Sequence, residues 1–93
     1  MTKADLVREV AEKTGFTKSD TGLMLEAFLQ TIKDALKEHK RIDIRGLGSL
    51  GVKMRKARQA RNPRTGEAVP VPKRYVPVFK ASRKLKAMVA KIR

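Results

Sequence analysis

The sequence predicts an α+β fold, and three observations carry that reading. Apolar residues recur at helical spacing through residues 1–39, alternate with polar ones around Ile42 and Ile44, and return to helical spacing after Ser82. Thr2 followed by Asp5 reads as a helix N-cap with an acidic residue at the third helical position, and Leu6, Val7, Val10 and Ala11 supply the apolar positions behind it. Gly15 ends that helix. Thr17 and Asp20 repeat the start signal, and Met24, Ala27, Phe28, Thr31, Ile32, Ala35 and Leu36 form one stripe of a second, longer helix.

From residue 40 the period changes. Ile42 and Ile44 alternate with Arg41, Asp43 and Arg45 as in a half-exposed strand, and Gly46-Leu47-Gly48 is a tight turn into a second strand. Beyond Val52 neither strand face is apolar. One parity gives Lys53, Arg55, Ala57, Gln59 and Arg61, the other Met54, Lys56, Arg58, Ala60 and Asn62. A strand without an apolar face has no core to lie on, so it leaves the body of the protein. The return strand starts near Glu67, and its prolines Pro70 and Pro72 confine it to a sheet edge. Val76, Val78 and Phe79 bring the chain back to apolar packing. Ser82 then caps a last helix with Leu85, Met88, Val89 and Ile92 on one face. The expected order is helix, helix, three antiparallel strands with a long hairpin between the last two, and helix.

Charge divides the chain. Residues 1–39 hold six Lys/Arg against seven Asp/Glu, whereas residues 40–93 hold seventeen against two. A near-neutral scaffold half thus carries a strongly cationic half, which calls for a polyanionic partner: nucleic acid first, an anionic membrane surface second. The last helix lacks an aromatic anchor for a membrane, and a basic RNA-binding role is the remaining alternative. With 93 residues, no cysteine and one histidine, the chain has neither disulfide nor structural metal to support a small core, so oligomerisation is expected. The missing cysteine fits a reducing compartment, and Met1 to Leu6 lacks the apolar run of a signal peptide, which reads as cytoplasmic. No catalytic constellation, metal set, cofactor loop or small-molecule site is apparent: His39 stands alone, and no serine sits in a nucleophile-elbow setting.

Several segments together resemble the bacterial HU and integration host factor family of DNA-bending proteins. They are Thr2-Lys3-Ala4-Asp5-Leu6, Gly46-Leu47-Gly48-Ser49, Arg61-Asn62-Pro63-Arg64-Thr65-Gly66, Val76-Pro77-Val78-Phe79 and Lys84-Leu85-Lys86. The resemblance runs over essentially the whole chain. It implies one domain over residues 1–93, with a helical dimerisation part over 1–39, a sheet and β-arm over 40–81 (arm about 53–75), and a C-terminal helix over 82–93. It further implies an intertwined dimer, homodimeric or paired with a paralogue, whose three-stranded sheets extend into β-ribbon arms reaching around double-stranded DNA in the nucleoid. Phe28, Ile32, Leu36, Ile44, Leu47, Leu50 and Phe79 are the expected dimer core, Leu47 and Leu50 standing where the family usually has Phe.

On that reading Pro63 is the wedge that enters a base step from the minor groove; as a bare Asn-Pro it would be a turn former only. Lys53, Arg55, Lys56, Arg58, Arg61, Arg64, Lys73 and Arg74 are the arm's cations, and Asn62 holds the tip. A solvated surface strand would also be charged, but cations without counter-charge repel one another and call for an anion. On the body, Lys3, Arg45, Gly46, Ser49, Ser82, Arg83, Lys84 and Lys86 are candidate phosphate contacts, through side chains or amides near a helix start. Asp43 and Arg45 share a strand face and are expected to pair, either as a surface salt bridge or as an element of sequence preference. Glu67 is expected to temper the arm's charge.

Overall fold

The computed structural model describes residues 1–91, so Ile92 lies outside the described residues. Its elements are α1 (Lys3–Thr14), α2 (Lys18–Lys37), β1 (Ile42–Ile44), β2 (Gly48–Arg55), β3 (Arg58–Arg61), β4 (Ala68–Val71), β5 (Arg74–Ala81) and α3 (Arg83–Ala90). Two compact units divide the chain, one over Met1–Ala35 and one from Leu36 onward.

In the first unit both helix starts form as their sequences require. The Thr2 hydroxyl accepts from the Asp5 amide while the Asp5 carboxylate accepts from the Thr2 amide at 2.8 Å, a reciprocal cap. That backbone hydrogen bond, then the Thr2 hydroxyl and Arg8, hold the Asp5 carboxyl below its ordinary range. Thr17 caps α2 by accepting from the Asp20 amide at 3.0 Å. Ala11 and Thr21 are the two buried residues, and the Thr21 hydroxyl finds no partner. The half-buried positions of α2 are Gly22, Leu25, Leu29, Ile32, Ala35 and Leu36, so Ile32, Ala35 and Leu36 of the expected stripe keep their place. The first turns of the expected stripe are displaced: Met24 and Phe28 are about half exposed, at 49% and 54%, where Leu25 and Leu29 are covered. With Leu23 exposed as well, α2 is apolar on more than one face, and one face remains uncovered.

In the second unit β2 lies between β1 and β5 in an antiparallel sheet, and β3 pairs with β4 in a separate two-stranded ladder. The expected uninterrupted hairpin is thus broken, at Lys56–Ala57 on one side and Pro72–Lys73 on the other. Register does not slip across the break. Arg55 faces Arg74 at the end of one ladder, and three residues on Arg58 faces Val71 at the start of the next. The two ladders are one ribbon with a gap. At its inner end Gly48 lies so close to β5 that a Cβ there would stand 2.3 Å from the Lys80 carbonyl oxygen and 2.9 Å from the Phe79 ring. Only glycine fits.

Candidate nucleic-acid interface

The tip is held by its own backbone. The Asn62 amide donates to the Glu67 carbonyl at 2.9 Å, and the Gly66 amide donates back to the Asn62 carbonyl at 2.8 Å. Gly66 takes the left-handed conformation that this five-residue turn requires, with φ 74°. The Asn62 side-chain oxygen accepts from the Arg64 amide at 2.9 Å, an Asx turn around Pro63, and Arg61 donates to the Gly66 carbonyl at 3.3 Å. Asn62 is half-buried and its oxygen is used, whereas Pro63 and Arg64 are exposed. An apolar, conformationally fixed ring thus projects from a turn that internal hydrogen bonds already hold.

Behind the tip the ribbon carries cations on both faces. Paired residues share a face, so Lys53, Arg55, Arg61 and Arg74 lie on one side, and Arg58 on the other with Lys56 by alternation. No arm cation has a carboxylate within ion-pair distance, since the four ion pairs among the described residues all lie elsewhere. Glu67 makes no such pair, so whatever it takes from the arm's charge acts through the field and not through a direct contact. Arg55, Lys56, Ala57, Arg58 and Arg74 line a notch of about 490 Å³ at the gap.

Around the Gly46 turn a second concavity of about 470 Å³ gathers Arg45, Gly46, Ser49 and Ser82. It also includes Arg41 and Lys80, which sequence reasoning passed over. Their signal was available, because Lys80 faces Ser49 across the sheet as strand alternation dictates. Ser82 caps α3 as expected and also ties it to the glycine turn. Its hydroxyl donates to the Gly46 carbonyl at 3.0 Å and accepts from the Leu85 amide at 3.0 Å, and its amide donates to the Leu47 carbonyl at 2.9 Å. With those groups used, Ser82 fixes the glycine turn to the start of α3, whose first amides have no partner within the helix.

Charge placement on α3 points the same way. α1 and α2 have Asp5 and Asp20 in their first turns and Lys13 and Lys37 in their last, as the helix dipole favours. α3 has no acid in its first turn and no base in its last. Arg83, Lys84 and Lys86 instead crowd its positive end, an arrangement that costs about 0.3–1 kcal/mol per charge and reverses sign when an anion docks there.

Two expected residues are engaged otherwise. The Lys3 ammonium is paired with Glu26. Asp43 pairs with Arg41 at 3.0 Å, not with Arg45, because Arg45 lies past the end of β1, in the turn, and has left the strand's alternation. A contact the sequence did not suggest joins His39 to Tyr75, ring centroids 4.3 Å apart, with His39 in the left-handed region at φ 60°.

A family model described as bacterial DNA-binding protein matches residues 1–90. The chain belongs to that family. It is a DNA-binding architectural protein of the HU and integration host factor type. Among family members, DNA-binding protein HU of Clostridium pasteurianum is 40% identical over 91 residues, covering 98% of this chain and 100% of that one. Integration host factor subunit alpha of Chromohalobacter salexigens is 37% identical over 89 residues, covering 96% and 87%. Among solved family structures, the Anabaena HU–DNA cocrystal structure is similar with a TM-score of 0.90 at 39% identity, over 97% of this chain and 98% of that one. HU from Thermotoga maritima gives 0.69 at 31% identity, over 96% and 98%. The helices, the antiparallel sheet and the projecting ribbon are the α+β fold of HU proteins.

Proposed function

We propose that this protein is a nucleoid-associated homodimer that binds double-stranded DNA with little sequence preference and bends it by inserting Pro63 of each arm into a base step. The observation that carries the reading is the tip: an exposed proline on a self-supporting turn, at the end of a ribbon whose cations lack any acidic partner. An apolar wedge of this kind unstacks one base step from the minor groove, the mechanism for which this family is a standing example. Lys53, Arg55, Lys56, Arg58, Arg61, Arg64, Lys73 and Arg74 neutralise phosphates along the groove. Arg45, Gly46, Ser49, Arg83, Lys84 and Lys86 receive the flanking backbone, with Arg41 and Lys80 added. Lys3 joins them once it gives up Glu26. These are binding roles, and none requires catalysis.

Dimerisation is supported by the poverty of the core. Phe28 and Phe79 are about half exposed, at 54% and 51%, Leu47 is 43% exposed, and Ile32, Leu36, Ile44 and Leu50 are only half-buried. Covering what remains exposed of such side chains gains roughly half of the about 1.5–3 kcal/mol that full burial of each is worth, which makes a partner copy the natural complement. No helix among the described residues is long and apolar enough to cross a membrane, and we place the protein in the cytoplasm, on DNA.

Energy transfer between dyes at the two ends of a mixed-sequence duplex, titrated with protein, tests the bend. Transfer is expected to rise at saturation for the native chain and to rise much less for Pro63→Ala at equal occupancy. Binding without any change in end-to-end distance would refute the wedge. Relatives named integration host factor subunit alpha keep a site-preferring variant of the same mechanism in view. Asp43→Ala separates the two readings: unchanged relative affinity among sequences supports the non-selective one.

A further inference from the structure

The gap in the arm ribbon falls where like charges face one another. Arg55 is paired with Arg74 in the last rung of the inner ladder. The unbroken register then sets Lys56 opposite Lys73, the first rung that fails to form. Directly opposed cations at cross-strand spacing destabilise a ladder, and here two successive rungs do so on opposite faces, leaving neither face free of the repulsion. Proline alone does not account for the break. Pro70 sits within β4 opposite Gln59, and Pro77 within β5 opposite Val52, and both strands continue through them.

The cationic notch at this gap is open to solvent and suited to an oxyanion. Arg55, Lys56, Arg58 and Arg74 line its volume of about 490 Å³. We infer that the gap is an anion-gated hinge: phosphate groups drawn to the cations of this notch screen the opposed charges of both rungs and close the ladder, so the arm stiffens when its stem is occupied. The idea deepens the proposed DNA-binding role but makes its own demand, because the trigger is phosphate charge at the stem and not insertion at the tip. Inorganic polyphosphate and the DNA backbone share that chemistry.

Amide hydrogen exchange along the full-length protein tests it. In the free protein, raising sodium chloride should slow exchange of the ladder amides beyond the gap, Arg58 to Arg61 with Ala68, Val69 and Val71, by roughly two- to fivefold, because screening relieves the opposed charges. Salt has the opposite sign on DNA affinity, so the two effects cannot be confused. Lys73→Glu should protect the same amides without any ligand and make their gain of protection with salt clearly smaller, because only the Arg55–Arg74 repulsion remains to be screened, whereas Pro72→Ala should leave them as they are. Inorganic tripolyphosphate should protect the native arm at an ionic strength where chloride alone does not, and a duplex should do likewise. The hinge is overturned if salt leaves the arm unchanged or loosens it, if Pro72→Ala closes the ladder while Lys73→Glu does not, or if a duplex protects the stem and tripolyphosphate never does. Only the duplex measurement depends on DNA binding, so failure of the proposed function would leave the salt and charge-reversal results intact.

Discussion

The two units of this protein follow opposite rules. Over Met1–Ala35, both helices are capped at their starts and carry acids at their positive ends, α1 has a base at its negative end, and charge is nearly balanced. From Leu36 onward the same rules are broken repeatedly: cations gather at the start of α3, arginines face one another across a ladder, and His39 takes a backbone conformation usual for glycine. Local consistency marks a segment selected to fold, and clustered violations mark one selected to meet something else. Every electrostatic violation here has one sign and one remedy, an external anion.

The sharpest way to break the comparison is to reverse charges on the violating side. Arg58→Glu with Arg61→Glu is expected to weaken duplex binding at low salt by roughly a hundredfold or more and to reduce the slope of log affinity against log salt by about three to four, two contacts being lost on each of two arms, read by anisotropy titration. Neither change should alter the melting of α1 and α2. Gly48→Ala attacks the framework beneath the arm instead. Its Cβ would collide with the Lys80 carbonyl, and we expect a loss of about 2–4 kcal/mol in chemical denaturation, with the sheet amides losing protection first. A fully stable Gly48→Ala protein would mean that β2 and β5 are not so closely apposed.

Ser82→Ala should cost about 1 kcal/mol through the lost cap and should also loosen the Gly46 turn. Equal weakening of DNA affinity for Ser82→Ala and Lys84→Ala would indicate that α3 acts through its position as much as its charge. The smallest effect lies on the rule-abiding side. The Thr2 cap holds the Asp5 carboxyl below the ordinary carboxylate range. A depressed carboxylate pKa contributes stability that is complete above the unfolded-state value and fades as pH falls through the folded one. Acid titration of α1 helicity should therefore show a loss below about pH 4 that Asp5→Asn removes, while the pH response of the arm stays the same.

The sequence made the element order legible because each boundary had a local cause: Thr2, Gly15, Thr17, the Gly46 turn and Ser82 all act within a few residues of themselves. The tip was equally legible, since Asn62, Pro63 and Gly66 specify their turn without outside help. Faces were harder to read. The burial of Leu25 and Leu29 in place of Met24 and Phe28 depends on what α1 offers to α2, and α2 is apolar on both sides. The choice of Arg41 over Arg45 as partner of Asp43 turned on where β1 ends, a matter of one residue. The ladder gap at Lys56 and Lys73 could have been inferred only once register was known, because opposition across a ribbon is invisible until its two strands are aligned.

The common register of the two ladders also bears on how such an arm can vary in length. Because β3 and β4 continue the pairing of β2 and β5 without a slip, residues can be added or deleted only in matched numbers on the two strands, and only in twos if each side chain is to keep its face. An added pair on each strand would move the tip outward by about 7 Å, whereas the chain entropy of a longer excursion grows only slowly, by about 0.6 kcal/mol per doubling. Reach is thus a quantised and thermodynamically inexpensive variable, one that can be retuned without touching the sheet from which the arm grows.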